Sequence, residues 1–377
     1  MAAPKSTIWK IEPHTQAKHE ILRRYLEAWT AILSLGRFPA IAYVDGFAGP
    51  GVYEDGEIGS PIIALNAALN QQRQHPAMAN TKLFFLFIEQ KKDRAERLHE
   101  QVQGLQLPQN FRWKVVGETS FEAGFRENLL DWYRDHNKPL PPTFAFIDPF
   151  GWTGVPFSLV KELLANDSCE ILFNFMYEEI NRFISHPNHP DDFNRLFGTD
   201  AWAGVPPAGD PDARRAFFHD LYVRQLREDA GARYVRGFEM RNKNDATDYF
   251  LFFATNSRKG IQKMKEAMWR VDESGGFQFS DATAGAAQLA LPFTAEPNFG
   301  ALRRAIVSRF GGQVATVGDV EEFVLAETPF RETHYKKQIL AKLEQAKLLE
   351  PVDPKPGRRA GTYGDAKMKL RFSAAVG

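Results

Sequence analysis

From Lys18 to Leu35 the apolar residues Ile21, Leu22, Tyr25, Leu26, Trp29, Ile32 and Leu33 recur at helical spacing. The pattern predicts an amphipathic helix ending near Gly36, with Pro39 beyond it. The period then changes. Ile41 to Val44 reads as a short buried strand, and Pro61 to Leu69 as a helix opened by Ser60 as N-cap with Pro61 at its first position. Lys82 to Glu89 is a second apolar strand closed by a carboxylate, followed by a charged helix to about Gly104. Trp113 to Val116, Thr143 to Ile147 and Ile171 to Phe175 read as further strands, with a helix over Phe121 to Tyr133. Strands alternating with helices at this rhythm imply right-handed βαβ crossovers and a parallel sheet.

After Phe175 the rhythm breaks. Residues 177–232 are rich in Pro, His, Asp and Arg, with one expected helix over Pro211 to Asp229, and read as an inserted helical lid. Tyr234 to Arg241 and Asp248 to Ala254 are two strands separated by the turn-prone Asn242-Lys243-Asn244-Asp245, an antiparallel hairpin. Helical patterns then cover Phe299 to Phe310, Val317 to Ala326 and Glu332 to Leu349, with a Pro-, Gly- and base-rich stretch over Pro351 to Thr362 and a strand over Met368 to Phe372. Three helices and a hairpin with a basic loop look like a winged-helix domain. The expected division is 1–298 and 299–377.

Two strand ends carry the candidate chemistry. Tyr43-Val44-Asp45-Gly46-Phe47-Ala48-Gly49-Pro50-Gly51 delivers an acid and three glycines from the first strand. Glycines at such a turn take positive φ freely and let the backbone approach a ligand, which suits a nucleotide-like cofactor. A tight βα turn with Asp45 as a cap explains the same residues. About a hundred residues later, Phe146-Ile147-Asp148-Pro149-Phe150-Gly151 also ends an apolar run. Glu89 sits where doubly wound folds place an acid on ribose hydroxyls, or else pairs with Lys91 or Lys92 at the surface.

Asp45 to Gly51 resembles the Phe-x-Gly-x-Gly cofactor loop of S-adenosylmethionine-dependent amino-methyltransferases, and Asp148 to Gly151 resembles their Asp/Asn-Pro-Pro-Tyr/Phe loop. His14-Thr15-Gln16-Ala17-Lys18-His19 is similar to the start of bacterial ribosomal RNA adenine-N6 methyltransferases. With Gly59-Ser60-Pro61 and Thr333-His334-Tyr335-Lys336 added, the nearest resemblance is to the three-Cys-motif partner family, over nearly the whole chain.

The resemblance implies an α/β fold, a Rossmann-like seven-stranded methyltransferase sheet with the inserted lid and the winged helix. It implies S-adenosyl-L-methionine as cofactor, held by Lys18, His19, Asp45, Gly46, Phe47, Ala48, Gly49, Gly51, Glu89 and Glu118. Lys18 would reach the donor's carboxylate, Asp45 its ammonium, and Glu118 the adenine amine unless it caps the next helix. In the second loop Asp148 and the Pro149 carbonyl would take the two N–H bonds of an amine, with Phe150 or Trp152 stacking on a flipped base. Phe150 stands where that family has a second proline, and Gly151 where it has an aromatic ring. A strand-end turn with Asp148 as a helix cap is the plain alternative.

The chain carries 47 basic and 47 acidic residues, so net charge makes no case for nucleic acid. Residues 331–377 differ, with eleven basic against five acidic residues, a local +6. Lys336, Lys337, Arg358 and Arg359 are the candidate phosphate contacts of this tail. Thirty-one phenylalanines supply core and stacking surface alike. One cysteine, Cys169, excludes an intrachain disulfide and a cysteine-based metal site. The loop His186 to Asp192 matches no standard zinc spacing, so no metal is expected. No apolar run nears the ~20 residues that span a bilayer, and the expected location is the cytoplasm.

Three functions stay open at this stage. The first is an adenine-N6 methyltransferase of RNA or DNA that grips nucleic acid through its tail. The second is a weakly active or inactive cofactor-binding partner of a three-Cys-motif protein, and the third a methyltransferase of small molecules or proteins. Oligomeric state is not indicated.

Overall fold

The computed structural model describes residues 6–36, 38–186, 189–272, 278–280, 297–352 and 354–374. The chain divides into two compact units, Met1–Ala267 with Gln278–Leu291, and Met268–Phe277 with Pro292–Gly377.

The first unit is built on strands β1 (Ala40–Asp45), β2 (Lys82–Glu89), β3 (Phe111–Gly117), β4 (Thr143–Ile147), β5 (Glu170–Phe175), β6 (Tyr234–Arg241), β7 (Thr247–Thr255) and β8 (Gln278–Ser280). They form one sheet in the order β3-β2-β1-β4-β5-β7-β6-β8. The first five run parallel, and β7 lies antiparallel between β5 and β6. This is a Rossmann-like sheet with eight strands rather than the expected seven. The additional β8 pairs parallel with β6 at the far edge, and its three residues are too few to show a period.

Strand order reverses between β1 and β4, so the carboxyl ends of these two neighbours open the crevice where such folds bind ligands. β4, β5 and β7 are buried along their whole lengths, as strands covered on both faces must be. Tyr43 of β1 stacks on Phe144 of β4 at 6.1 Å, and Phe85 of β2 on Phe111 of β3 at 5.5 Å. Most of the aromatic excess is therefore core.

Helix α1 (Pro13–Leu35) starts five residues before the expected helix and buries Ile21, Leu22, Tyr25, Leu26 and Trp29. Proline favours such a start, because its missing N–H would be unpaired there in any case. In α2 (Ser60–Gln74) the N-cap is Gly59, not Ser60. The Ser60 hydroxyl instead hydrogen-bonds Asp45. The helix over Phe121 to Tyr133 takes the form of Phe121–Phe125, a π turn over Arg126–Leu130, and Asp131–Asp135. Helices Phe157–Leu164 and Arg258–Trp269 had no counterpart in the reading of the sequence.

Residues 177–232 hold more helix than expected: Tyr177–Phe183, Pro190–Phe197 and Pro211–Arg224. Phe197 and Tyr222 pack on Phe175 of β5 at 5.7 and 4.9 Å. The segment thus adds to the core of the sheet. Residues 187–188 of the His186 to Asp192 loop lie outside the described residues, and His189 Nδ1 contacts Asp192 at 3.0 Å. Among the described residues no group of three or more His, Cys, Asp or Glu is placed to hold a metal. Cys169 is buried, which pushes its thiol up to about 12.

The second unit carries helices Phe299–Phe310 and Val317–Glu327, then a π turn over Lys336–Leu340 leading into Ala341–Gln345. Strands β9 (Val314–Thr316), β10 (Leu349–Val352) and β11 (Lys369–Phe372) make an antiparallel sheet in the order β10-β11-β9. A capping box between Thr316 and Asp319 starts the second helix. The loop between β10 and β11 is the wing. No described helix is long and apolar enough to cross a membrane.

Candidate functional site

β1 ends at Asp45 and passes into the glycine loop. The Gly46 N–H donates to the Phe146 carbonyl at the end of β4 at 2.9 Å, tying the two candidate loops together. Glycine is required along this turn. A Cβ on Gly46 would lie 2.6 Å from the Phe121 ring. Gly51 takes φ +81°, and a Cβ there would lie 2.8 Å from Leu98.

Asp45 is fully buried, and burial pushes its carboxyl up to about 7 against the hydrogen bonds from Ser60 and Tyr43. The Tyr43 hydroxyl donates to Asp45 Oδ2 at 3.1 Å. Glu89 is also buried, and accepts from the Gly49 N–H at 2.9 Å and the Lys91 N–H at 2.8 Å. It anchors the glycine loop to the end of β2 and is no surface ion. Glu118 takes φ +57° and does not cap the following helix; Ser120 does, accepting from the Ala123 N–H.

Asp148 lies beside the same crevice. Lys18 Nζ approaches its Oδ1 at 2.8 Å and its Oδ2 at 2.6 Å, and Asn174 Nδ2 donates to Oδ1 at 2.6 Å. The Lys18 ammonium also sits 5.0 Å over the Tyr249 ring. Lys18, expected on the donor's carboxylate, is thus paired with Asp148, and Asp148 is already engaged on both oxygens. An ammonium this deeply buried needs a counter-ion more than it needs a solvent-exposed reach. Burial and the neighbouring Lys18 cation push the His19 imidazole down to about 3, so it is neutral at physiological pH.

Trp9 covers the loop. Its ring meets Tyr53 and Phe150 edge-on at 5.6 and 5.5 Å, and the Arg94 guanidinium lies 4.6 Å over it. Phe150 is 41% exposed beside this cluster. Trp152 is not at the site: it is buried and stacked on Phe193 at 4.2 Å. Its ring was an apolar surface the insertion needed for packing.

Two cavities abut here. One of about 30 Å³ is lined by Phe47 to Tyr53 with His19, Ser60 and Asp148. The other, about 170 Å³, is lined among others by Lys18, Asp148, Pro149, Phe150, Asn174 and Tyr249. Trp9, Tyr53, Asp148 and Phe150 are common to both. Trp9, Tyr53, Asn174 and Tyr249 were not read from the sequence. Asn174 alone left a usable signal, a polar residue near the carboxyl end of the apolar run Ile171 to Phe175 beside the crevice.

The tail's basic residues have different fates. Arg358 grips Glu344 with two bonds of 2.7 and 2.8 Å, and Tyr363 and the Gly361 N–H bond the same carboxylate. Arg358 is therefore a brace of the wing and not an open phosphate contact. Lys336 lies 3.6 Å from Glu321, whereas Lys337 and Arg359 are exposed.

The GMT-like wHTH domain family matches residues 277–356, which places the second unit in the winged helix-turn-helix class. No curated protein matches the chain. Among solved structures, Trm1 from Pyrococcus horikoshii in complex with S-adenosyl-L-methionine is similar at 9% identity, over 100% of this chain and 94% of that one, with a TM-score of 0.39. A candidate methyltransferase from Porphyromonas gingivalis W83 is similar at 12% identity and a TM-score of 0.27, over 61% of this chain; the chain spans only 40% of that protein. A candidate O-methyltransferase from Klebsiella pneumoniae gives 12% identity, 66% and 92% coverage and a TM-score of 0.31. With TM-scores this low, the fold and the site stand on the geometry above.

Proposed function

We propose that the chain is an S-adenosylmethionine-dependent N-methyltransferase acting on an amino group, adenine N6 of RNA or DNA in the first instance. One observation carries the reading: a glycine-loop cavity and a carboxylate-lined cavity meet across Asp148 at the strand-order reversal. Group transfer needs two ligands held in contact, and that is the arrangement that aligns them.

The donor set suits the cofactor. Phe47 to Gly51 and His19 line the smaller cavity, Gly49 and Gly51 take positive φ, and Glu89 holds the loop in place, while buried Asp45 lines neither cavity and supports the turn from beneath through Tyr43 and the Phe47 N–H. When bound, the donor presents a methyl group on a positively charged sulfur. Asp148, at the wall common to both cavities, would then orient the accepting amine in exchange for its present contacts with Lys18 and Asn174, and the aromatic rings of Trp9, Tyr53 and Phe150 exclude water. The two cavities together fall short of the roughly 300–1,000 Å³ of ordinary ligand pockets, so Trp9 moves off the loop when both ligands enter. Lys337 and Arg359 of the winged unit are the residues that reach phosphates.

The deciding experiment incubates the protein with methyl-labelled donor and separate pools of DNA, ribosomal RNA and protein. Label in nucleic acid that vanishes in Asp148→Ala supports the proposal, and label confined to protein or small molecules refutes its substrate. The Lys18–Asp148 pair favours a second reading, a donor-binding partner of a three-Cys-motif protein with little activity of its own. That reading expects tight donor binding and no labelled acceptor.

A further inference from the structure

We propose that the sheet face beneath the helix over Phe121 to Asp135 carries a second ligand site, for a flat aromatic ring bearing one carboxylate or phosphate group. It lies outside the crevice and is independent of the methyltransferase reading.

Side chains alternate between the two faces of a strand. Val44 pairs with Leu86, Leu86 with Lys114 and Phe84 with Arg112, so these five residues share one face. The helix lies on that same face. A Cβ on Gly124 would lie 3.0 Å from Ile88, two residues beyond Leu86, and Lys114 Nζ donates to Asn128 Oδ1 at 2.6 Å. Trp113 turns the other way and meets His99 of the helix Lys92–Gln103 at 5.1 Å. A cavity of about 380 Å³ lies here, lined by these five residues together with Glu127, Leu129, Trp132 and Tyr133. That volume is within the roughly 300–1,000 Å³ of ordinary ligand pockets. It exceeds either cavity at the crevice and shares no lining residue with them.

The lining supplies two kinds of contact. Val44, Phe84 and Leu86 offer an apolar floor, and Trp132, 41% exposed, stands at the wall. His136 stacked at 4.3 Å and the Lys138 ammonium 5.2 Å over the indole hold that ring in place. β3 is the edge strand, so exposed Arg112 and Lys114 stand at the open side of the floor. Among the described residues neither has an acidic partner. The Lys114 bond to a neutral amide leaves its ammonium further donors. Glu127 is the one acid of the lining, so two cations against it leave a net positive charge. An anion completes such a set, and the planar Arg112 fork matches a carboxylate or phosphate. A cationic ring would meet like charge.

The test titrates the full chain by calorimetry with 2-naphthoate and 2-naphthyl phosphate, and with 2-naphthylmethylamine as the cationic counterpart. One anion per chain should bind saturably, at least about tenfold more tightly than the amine. Whichever anion binds better identifies the headgroup. Saturating S-adenosylhomocysteine should leave that affinity unchanged, since the sites share no residue. Arg112→Gln alters an exposed side chain, so it should keep the melting curve of the parent while weakening the anion roughly tenfold. Trp132→Ala, a second surface change, should weaken both anions through the lost wall. Absence of saturable binding by either anion overturns the proposal. So does equal affinity for the amine, displacement by S-adenosylhomocysteine, or anion binding that both variants leave intact.

Discussion

Replacing Lys18 with methionine leaves its counter-ion, Asp148, in a crevice where water reaches it only in part. The Lys18 side chain is 5% exposed, and its ammonium lies 2.6 and 2.8 Å from the two oxygens of Asp148. At an effective dielectric of about 20, charges at that distance attract by roughly 6 kcal/mol. Desolvating both ions consumes most of it, so the intact pair adds little net stability. The single variant is another matter. Asp148 keeps its charge, loses its cation and retains the Asn174 amide, in a crevice that already holds Asp45. Breaking a fully buried pair costs about 3–5 kcal/mol. The Asp148 side chain is 21% exposed, which lets water screen it. A cost of about 2–4 kcal/mol is expected. Lys18→Met with Asp148→Asn should regain most of that loss, with a coupling of about 1–3 kcal/mol between the two sites. Urea unfolding at pH 7 of the four proteins measures it. A Lys18→Met cost below about 1 kcal/mol, or strict additivity of the two changes, would refute the electrostatics described here.

Four further outcomes follow from the same geometry. With the Asp45 carboxyl raised to about 7 by burial, a donor whose ammonium needs the ionised form should bind about tenfold more tightly at pH 8 than at pH 6; calorimetry of Asp45→Asn should show no such rise. The His19 imidazole, lowered to about 3, binds fewer protons folded than unfolded between that value and its ordinary 6.5, so its share of stability is full above this window and is lost as pH falls through it. Denaturant midpoints of His19→Gln should therefore decline less than those of the parent between pH 6.5 and 4, which isolates His19 from Asp45 and Glu170, whose raised values tilt stability the other way. Gly51→Ala should destabilise more than Gly49→Ala in thermal melts, since both take positive φ but only the Gly51 Cβ meets a neighbour at 2.8 Å. In the winged unit, the Arg358 hydrogen bonds hold the Glu344 carboxyl down to about 2, so its contribution persists above the ordinary carboxylate range and fades as pH drops toward that value. Glu344→Gln should cost about 1.5–3 kcal/mol and speed proteolysis within the wing at neutral pH.

The sequence disclosed whatever was local and repetitive. β1, β2 and β5 declared themselves as apolar runs, and α1 as a stripe with Ile21, Leu22 and Tyr25 on one face. The turn chemistry of Asp45 to Gly51 was equally plain, because positive φ at Gly49 and Gly51 has a residue signature. Contacts between distant segments were not legible. Lys18 and Asp148 are 130 residues apart, and nothing in either stretch names the other. Asn174 reads as one polar letter in the apolar run Ile171 to Phe175 until Asp148 is placed beside it. Trp9 belongs to a stretch with no period, and its place over the loop depends on Arg94 from a helix more than eighty residues on. Arg358 illustrates the reverse error: a basic residue in a basic loop looked available, but Glu344 of the preceding helix claims it. The helix Phe157–Leu164 was hidden by the Gly154 and Pro156 punctuation just before it.

The antiparallel β7 has a bearing on how the polypeptide matures. It is wedged between β5 and β6, so the edge of β5 gains its partner only after the residues up to Thr255 exist. During synthesis, a nascent chain ending anywhere between Phe175 and Asp248 carries a bare, phenylalanine-rich strand that invites intermolecular pairing. Such long-range closures are slow relative to helix formation. Fragments cut before β7 are therefore expected to clump rather than fold, while early docking of the helices around Phe197 and Tyr222 would shield the face of β5, though not its hydrogen-bonding edge, in the interval.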